Sequence, residues 1–586
     1  MIPVNLRFGH SIQVVLLTSI FVLSACPSRS QDSKLSDDEA VMRKLSLIAD
    51  LQILETRAKR VDKPLARALA ETEIADAAWA HDGTWSKDLL RDAYELTFPD
   101  GEEQSRLRTI PVGAQHSLPS SLDQARQALR RRILSVAGRD RGFVAELVKL
   151  GTTQLGAYEG HMEYASLARE ALTQNDIESA GHYIDQAIDT DPTQVGTLLA
   201  IEQLAARDRA AADSIILQYI QRLSNTPLSF TNGSVMRTTY ALARLIYPSR
   251  KEGQIISPPG PAVMRAYVRY VLNSLTSLEL QYPGSLITSR ILLIQTYPLL
   301  KQYAPELTQQ FLDLEQRSRK PGENFSLPTT KGIEEDYKTK FDKQVERELE
   351  SDQPDELVIQ RAISRGDFAK ARKMIDKLAD GSQKTQLIET VNAEQAISFA
   401  NKGDILSAQK LAESLVKATS ILRVFPIIAG KCATKKDETC ARDSVAQAIK
   451  QLRNADLTPN ASPPGVPASI MGTSRDFDPV LAGLGSLASA VMSAKDDLAF
   501  DVLDELVIAA NHSKLDTSEG RTGFETSLFK KLAEMNEGRV NLAAMQLKDP
   551  LSQIVALAAI DQWKSDKLTA DAKLRSAKNE PPRKKN

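Results

Sequence analysis

Apolar residues recur along this chain every three or four positions, and one stretch does so twice. After Gly366-Asp367, the positions Phe368, Ala371, Met374, Ile375 and Leu378 form one stripe of a helix. The stripe returns 37 residues later, after Gly403-Asp404, as Ile405, Ala408, Leu411, Ala412 and Leu415. Glycine can end a helix in a left-handed turn, aspartate can cap the next one, and alanine lets two helices cross closely. A weaker third copy starts at Lys436-Asp437, with Ala441, Val445 and Ala448 in the matching places. Far upstream, Asn175-Asp176-Ile177 is followed by Ala180, Tyr183, Ile184 and Ala187. Strand-like alternation is scarce, and strong helix formers fill the segments between breaks. The fold class read from this pattern is all-α, a helical repeat or solenoid array with proline-rich interruptions.

The segment from about Gly160 to Pro192 resembles a tetratricopeptide (TPR) repeat, with Tyr164, Leu167 and Ala168 on its first helix and Pro192 closing it. The copies at 366 and 403 have Gln383 and Ser420 where that proline would stand, so they are TPR-like and degenerate. Generic helical hairpins of convergent spacing are the other reading of the same pattern.

Breaks divide the chain into an N-terminal helical segment (41–100), a repeat region (121–318), a linker (319–333), TPR-like repeats (334–453), an irregular loop (454–479), a C-terminal helical segment (480–574) and a disordered basic tail (575–586). The linker leads into a charged helix expected over 334–350.

The chain's start carries a different signal. Arg7 precedes the largely apolar run Ile12 to Val22, too short for a permanent bilayer span, and small residues close it. Leu23-Ser24-Ala25-Cys26 resembles the lipobox of bacterial lipoproteins. That resemblance implies a signal peptide over 1–25, acylation of Cys26 and a flexible tether over 26–40. Pro27 in place of aspartate leans the resemblance towards the outer membrane. An ordinary cleaved signal and an uncleaved anchor are the competing readings. Either way the chain is expected in the cell envelope, held at a membrane if Cys26 is lipidated.

Composition narrows the function classes. With 586 residues, 74 basic against 75 acidic side chains and 5% aromatics, the chain offers no electrostatic reason to bind nucleic acid and few rings for stacking. If Cys26 carries lipid, Cys432 and Cys440 are the remaining cysteines. In an oxidising compartment they are expected to pair, tying the end of one helix to the start of the next. Closing so short a loop would stabilise by roughly 2–3 kcal/mol; two free thiols or half a metal site are the alternatives.

Known chemical motifs are scarce. Gly483-Leu-Gly485-Ser-Leu-Ala488 imitates a dinucleotide fingerprint but lies in a helical tract, where close helix packing explains it. Ser414…Lys417 and Ser527…Lys530 satisfy SxxK without companion motifs. His81, His116, His161, His182 and His512 form no metal-ligand spacing, and His161 and His182 are expected at solvent or in a partly buried groove. No catalytic residue, metal site or cofactor is expected. The leading reading is a lipid-anchored scaffold that binds envelope proteins or peptides. Glycan capture, and an enzyme on an α-superhelical scaffold, are the alternatives.

Overall fold

In a computed structural model, the described residues are 37–99, 121–225 without 193 and 195, five within 239–246, 257–318 without 283–285, 356–455, and 478–579 without 494, 495 and 514. Residues 101–120, the expected 319–333 linker, the charged helix expected at 334–350 and most of the 454–479 loop lie outside them, as does Cys26.

The junctions seen in the sequence build the fold. Asn175, Gly366, Gly403 and Lys436 all have left-handed φ, at 61°, 78°, 87° and 59°. In each case the following aspartate donates its N–H back to a carbonyl five residues earlier. The pairs are Asp176 to Ala171 (2.8 Å), Asp367 to Ala362 (2.9 Å), Asp404 to Phe399 (3.0 Å) and Asp437 to Cys432 (3.0 Å). This is the closure that satisfies the last carbonyls of a helix. The same aspartates then accept from the N–H three residues on, at Ser179, Lys370, Ser407 and Cys440, opening the next helix. At the crossings Ala180, Ala371, Ala408 and Ala441 are wholly buried.

The first half contains α1 (Asp37–Ala58), α2 (Pro64–Ala78), α3 (Gly83–Glu95), α4 (Ser121–Ala137), α5 (Arg141–Leu155), α6 (Ala157–Thr173), α7 (Ile177–Thr190), α8 (Gly196–Ala205), α9 (Arg209–Ser224), α10 (Pro261–Gln281), α11 (Leu286–Tyr303) and α12 (Thr308–Arg317). The second contains α13 (Glu356–Ser364), α14 (Phe368–Asp376), α15 (Ser382–Lys402), α16 (Ile405–Ala412), α17 (Ala418–Thr434), α18 (Glu438–Leu452), α19 (Pro479–Val491), α20 (Asp496–His512), α21 (Ser527–Met545) and α22 (Pro550–Asn579). No strand occurs among the described residues, and the all-α helical-repeat class holds.

Each helix of the first half packs on the next, and α2 with α4, α4 with α6, α6 with α8 and α7 with α9 touch as well. The second half repeats this scheme, with α15 on α17, α17 on α19, α18 on α20 and α19 on α21. The order in space departs from the order in sequence at one place. The last helix, α22, packs on α21 but also on α1 and α2. Its Leu551, Ile554, Val555 and Ala558 enter the core of the first half, while Ala556, Ala559 and Ile560 enter the core of the second. One stack therefore runs from α12 back to α1 and α2, through α22, and on through α21 towards α13. The join is tight at Gly520 (φ 72°), where a Cβ would stand 2.6 Å from the Leu65 carbonyl oxygen. Only glycine suits such a position.

Three expectations need correction. The tether does not extend to residue 40, because α1 is helical from Asp37, and the tail does not begin at 575, because α22 continues to Asn579. The N-terminal segment 41–100 and the C-terminal segment 480–574 are not separate units, since α22 buries side chains shared by both. Helix α21 is kinked. It breaks at Asn536 (φ −155°, ψ 93°), whose side chain caps the restart by accepting from Arg539 N at 3.1 Å.

Candidate functional site

Charge is buried in the first half of the stack where α2, α3, α4 and α6 meet. From α4, Arg130 points one way and Arg132 the other. Arg130 donates from Nε to Glu163 Oε1 (3.1 Å) and from Nη2 to Glu159 Oε2 (3.2 Å), both on α6. Tyr94 of α3 donates its hydroxyl to the same Glu163 carboxylate at 2.9 Å. Tyr94, Arg130 and Glu163 are all buried. A side chain at Gly151 of α5 would collide with the Tyr94 hydroxyl, so that helix can close over the cluster only because it carries glycine there. On the opposite flank, Arg132 clamps Glu73 (2.8 and 3.0 Å) and Asp76 (2.7 Å) of α2, and Arg139 also pairs with Asp76.

The two flanks hold their protons differently. Burial pushes the Glu163 carboxyl up to about 7, against the opposing pull of Arg130 and Tyr94. Burial also raises Asp76, but Arg132 and Arg139 outweigh it and hold that carboxyl below its usual range. Asp561 of α22 is pushed up to about 6, again by burial, with Lys564 beside it at 2.9 Å. Glu163 and Asp561 thus bind protons more tightly folded than unfolded, where their ordinary values are 4.5 and 3.8. Their contribution is complete below those values and is lost as pH rises through about 6 and 7. Unfolding free energies from urea titrations at pH 5 and pH 8 should carry roughly 1–3 kcal/mol in favour of pH 5 from these two carboxyls, offset in part by the buried neutral His161, and Glu163→Gln should lower that difference. Such a cluster is a structural clamp: its groups face one another inside the stack.

The histidines fall out differently from expectation. His161 is not at solvent or in a partly buried groove. It is fully buried on α6, with Nδ1 3.1 Å from the Ala187 carbonyl and Nε2 3.1 Å from the Thr197 hydroxyl. Burial holds it below the ordinary histidine value, so it acts as a neutral strut. His182 and His512 are exposed, and His116 lies outside the described residues. His81, part-buried, sits near Lys44 of α1 and the backbone of Ser565 in α22. No cluster of three His, Cys, Asp or Glu groups suited to a metal occurs among the described residues.

Cys432 of α17 and Cys440 of α18 stand with Cα atoms 5.6 Å apart and are joined as a disulfide. That separation lies within the range a bridge requires. The two SxxK matches are not brought into reacting geometry. Lys530 pairs with Asp566 of α22 at 2.5 Å, and the Ser414 hydroxyl donates to the Leu411 carbonyl.

A candidate open to solvent lies in the second half, between α19 and α21. Ala482, Gly485, Ser486 and Ser489 form a small-residue wall, Leu528 part of the floor, and Glu525 and Lys531 flank it; the cavity measures about 420 Å³. Gly483, one position from the wall, faces the other way, and any side chain there would collide with Leu422 of α17. The glycine-rich tract is thus a helix-packing device on one side and a groove on the other. Glu525 and Lys531 are both exposed, giving the groove one acidic and one basic flank.

No known protein family and no curated protein matches this sequence. Among solved structures, one similar chain is described as a "Circular tandem repeat protein with novel repeat topology and enhanced subunit contact surfaces". It is 13% identical, and the match covers 91% of this chain and 100% of that one at a TM-score of 0.11.

Proposed function

We infer that this chain is an exported, lipid-anchored helical-repeat protein that binds protein or peptide partners in the cell envelope. The groove between α19 and α21 carries this reading. Its volume of about 420 Å³ suits one or two inserted side chains or the face of a short helix. The small wall residues permit close backbone approach, and the Glu525 and Lys531 flanks favour a partner with charges of both signs. Leu23-Ser24-Ala25-Cys26 supports export and the anchor.

A photoreactive side chain placed at Ser486 in the full chain, in its native membrane, should cross-link reproducible protein neighbours. Ser489→Trp, which fills the groove from an exposed position, should cut that yield about tenfold, as loss of a central contact does. Equal yields from the plugged and open grooves, or none from either, would sink the binding site. Metabolic labelling with an alkyne fatty acid tests the anchor separately: a wild-type chain that takes no label has none, and the groove reading is then judged without it.

A further inference from the structure

The first helix is apolar on two faces. Leu47, Leu51, Leu54 and Ala58 of α1 are buried against the stack. On the far side Val41, Met42, Leu45 and Ile53 are 56, 66, 55 and 54% exposed, more large apolar side chains than any other described helix leaves at solvent. At 100° per residue, Met42, Leu45, Ser46, Ala49, Gln52, Ile53 and Thr56 fall on one stripe, all exposed and all uncharged.

We propose that this stripe is a homodimer contact, in which α1 packs antiparallel against α1 of a second copy and the two cross at Ala49. The pattern is two-fold symmetric about that residue. Turning the helix end for end sets Leu45 against Ile53, Met42 against Thr56, and Ser46 against Gln52, with the small Ala49 meeting itself where the backbones approach most closely. Apolar thus meets apolar at the inner positions, and polar meets polar. Thr56 already spends its hydroxyl on the Gln52 carbonyl at 3.0 Å, which leaves its methyl for the contact. Charge agrees with the direction: Asp38 and Glu39 stand at one end of the stripe, and Lys59 and Arg60 at the other. Antiparallel pairing places acidic end beside basic end twice, whereas parallel pairing would oppose like charges. The observations favour a protein helix over a lipid surface, because α1 contains no aromatic residue and carries Ser46, Gln52 and Thr56 within the stripe. The contact buries roughly 1,000 Å² in total, the size of a weak, reversible dimer.

Cysteine trapping in the full chain reads this geometry directly. Ala49→Cys should give a dimer band on a non-reducing gel well above that of the wild-type chain. Met42→Cys alone should not, since two copies of residue 42 would lie roughly 21 Å apart along the axis. A mixture of Met42→Cys and Thr56→Cys chains should cross-link. Ile53→Glu added to Ala49→Cys should reduce the dimer at least about tenfold by burying an unpaired charge against Leu45 of the second copy. An alkylatable Ala49→Cys chain that stays monomeric under oxidation would overturn the proposal. So would self-linking of Met42→Cys as efficient as that of Ala49→Cys. Unlipidated chain that co-sediments with anionic phospholipid vesicles, and loses this through Ile53→Glu, would replace the second copy with a membrane.

Discussion

At pH 8, where Glu163 is ionised, Arg130→Met should destabilise the protein by about 3–5 kcal/mol, a large part of the 5–15 kcal/mol that folding typically provides. Methionine nearly matches the length of the side chain but removes the guanidinium that pairs with the Glu163 carboxylate, and that carboxylate is buried. Glu159 sits one turn before Glu163 on the same helix, so the variant also leaves two acids side by side. The Tyr94 hydroxyl cannot compensate, because it supplies one donor to a group that needs charge. Replacing the whole cluster with apolar residues (Arg130→Met, Glu163→Leu and Tyr94→Phe together) should bring stability back to within about 1 kcal/mol of wild type. Buried ion pairs are often no better than well-packed hydrophobic substitutes, whereas a half-removed pair is costly. Denaturant midpoints with helix content checked at zero denaturant would decide it. A single variant within roughly 0.5 kcal/mol of wild type would mean that water reaches Glu163 and that the cluster is not a clamp.

The contrast between what the sequence told and what it hid follows from the range of each interaction. Helix junctions are written locally: a left-handed residue, an aspartate and a buried alanine lie within six positions, and all four copies fold as their pattern implies. His161 carries a signal of its burial in the sequence. It lies three residues before Tyr164 and seven before Ala168, on the stripe already assigned to the core, and that placement outweighs its polarity. The pair Glu159 and Glu163, one turn apart, likewise asked for a cation. Nothing in the pattern named Arg130 or Tyr94, because Tyr94 is 69 residues away. The groove was half visible: the glycines at 483 and 485 announced close packing, but the free wall depends on where α21 lies. The place of α22 was least legible, since a helix apolar on two faces says that it has two neighbours and not which ones.

That helix carries the second large expected effect. A chain ended at Asp549 lacks Leu551, Ile554, Val555 and Ile560, each worth roughly 1.5–3 kcal/mol on burial, so the loss is on the order of 10 kcal/mol. The truncated chain should lose cooperative unfolding in both halves, because α1 and α2 on one side and α21 on the other lose their shared partner. A milder variant separates closure from mere loss of mass. Ile560→Ala removes a side chain belonging to the second core alone, at a cost of about 2–5 kcal/mol. If α22 couples the halves, amide exchange should quicken in α1 and α2 as well as in α21, although Ile560 belongs to neither α1 nor α2. Exchange confined to α19–α21, with the first half unchanged, would mean that α22 rests on α1 and α2 without joining them. The stack would then be two arrays that share a helix, and binding in the groove of one could not be felt by the clamp in the other.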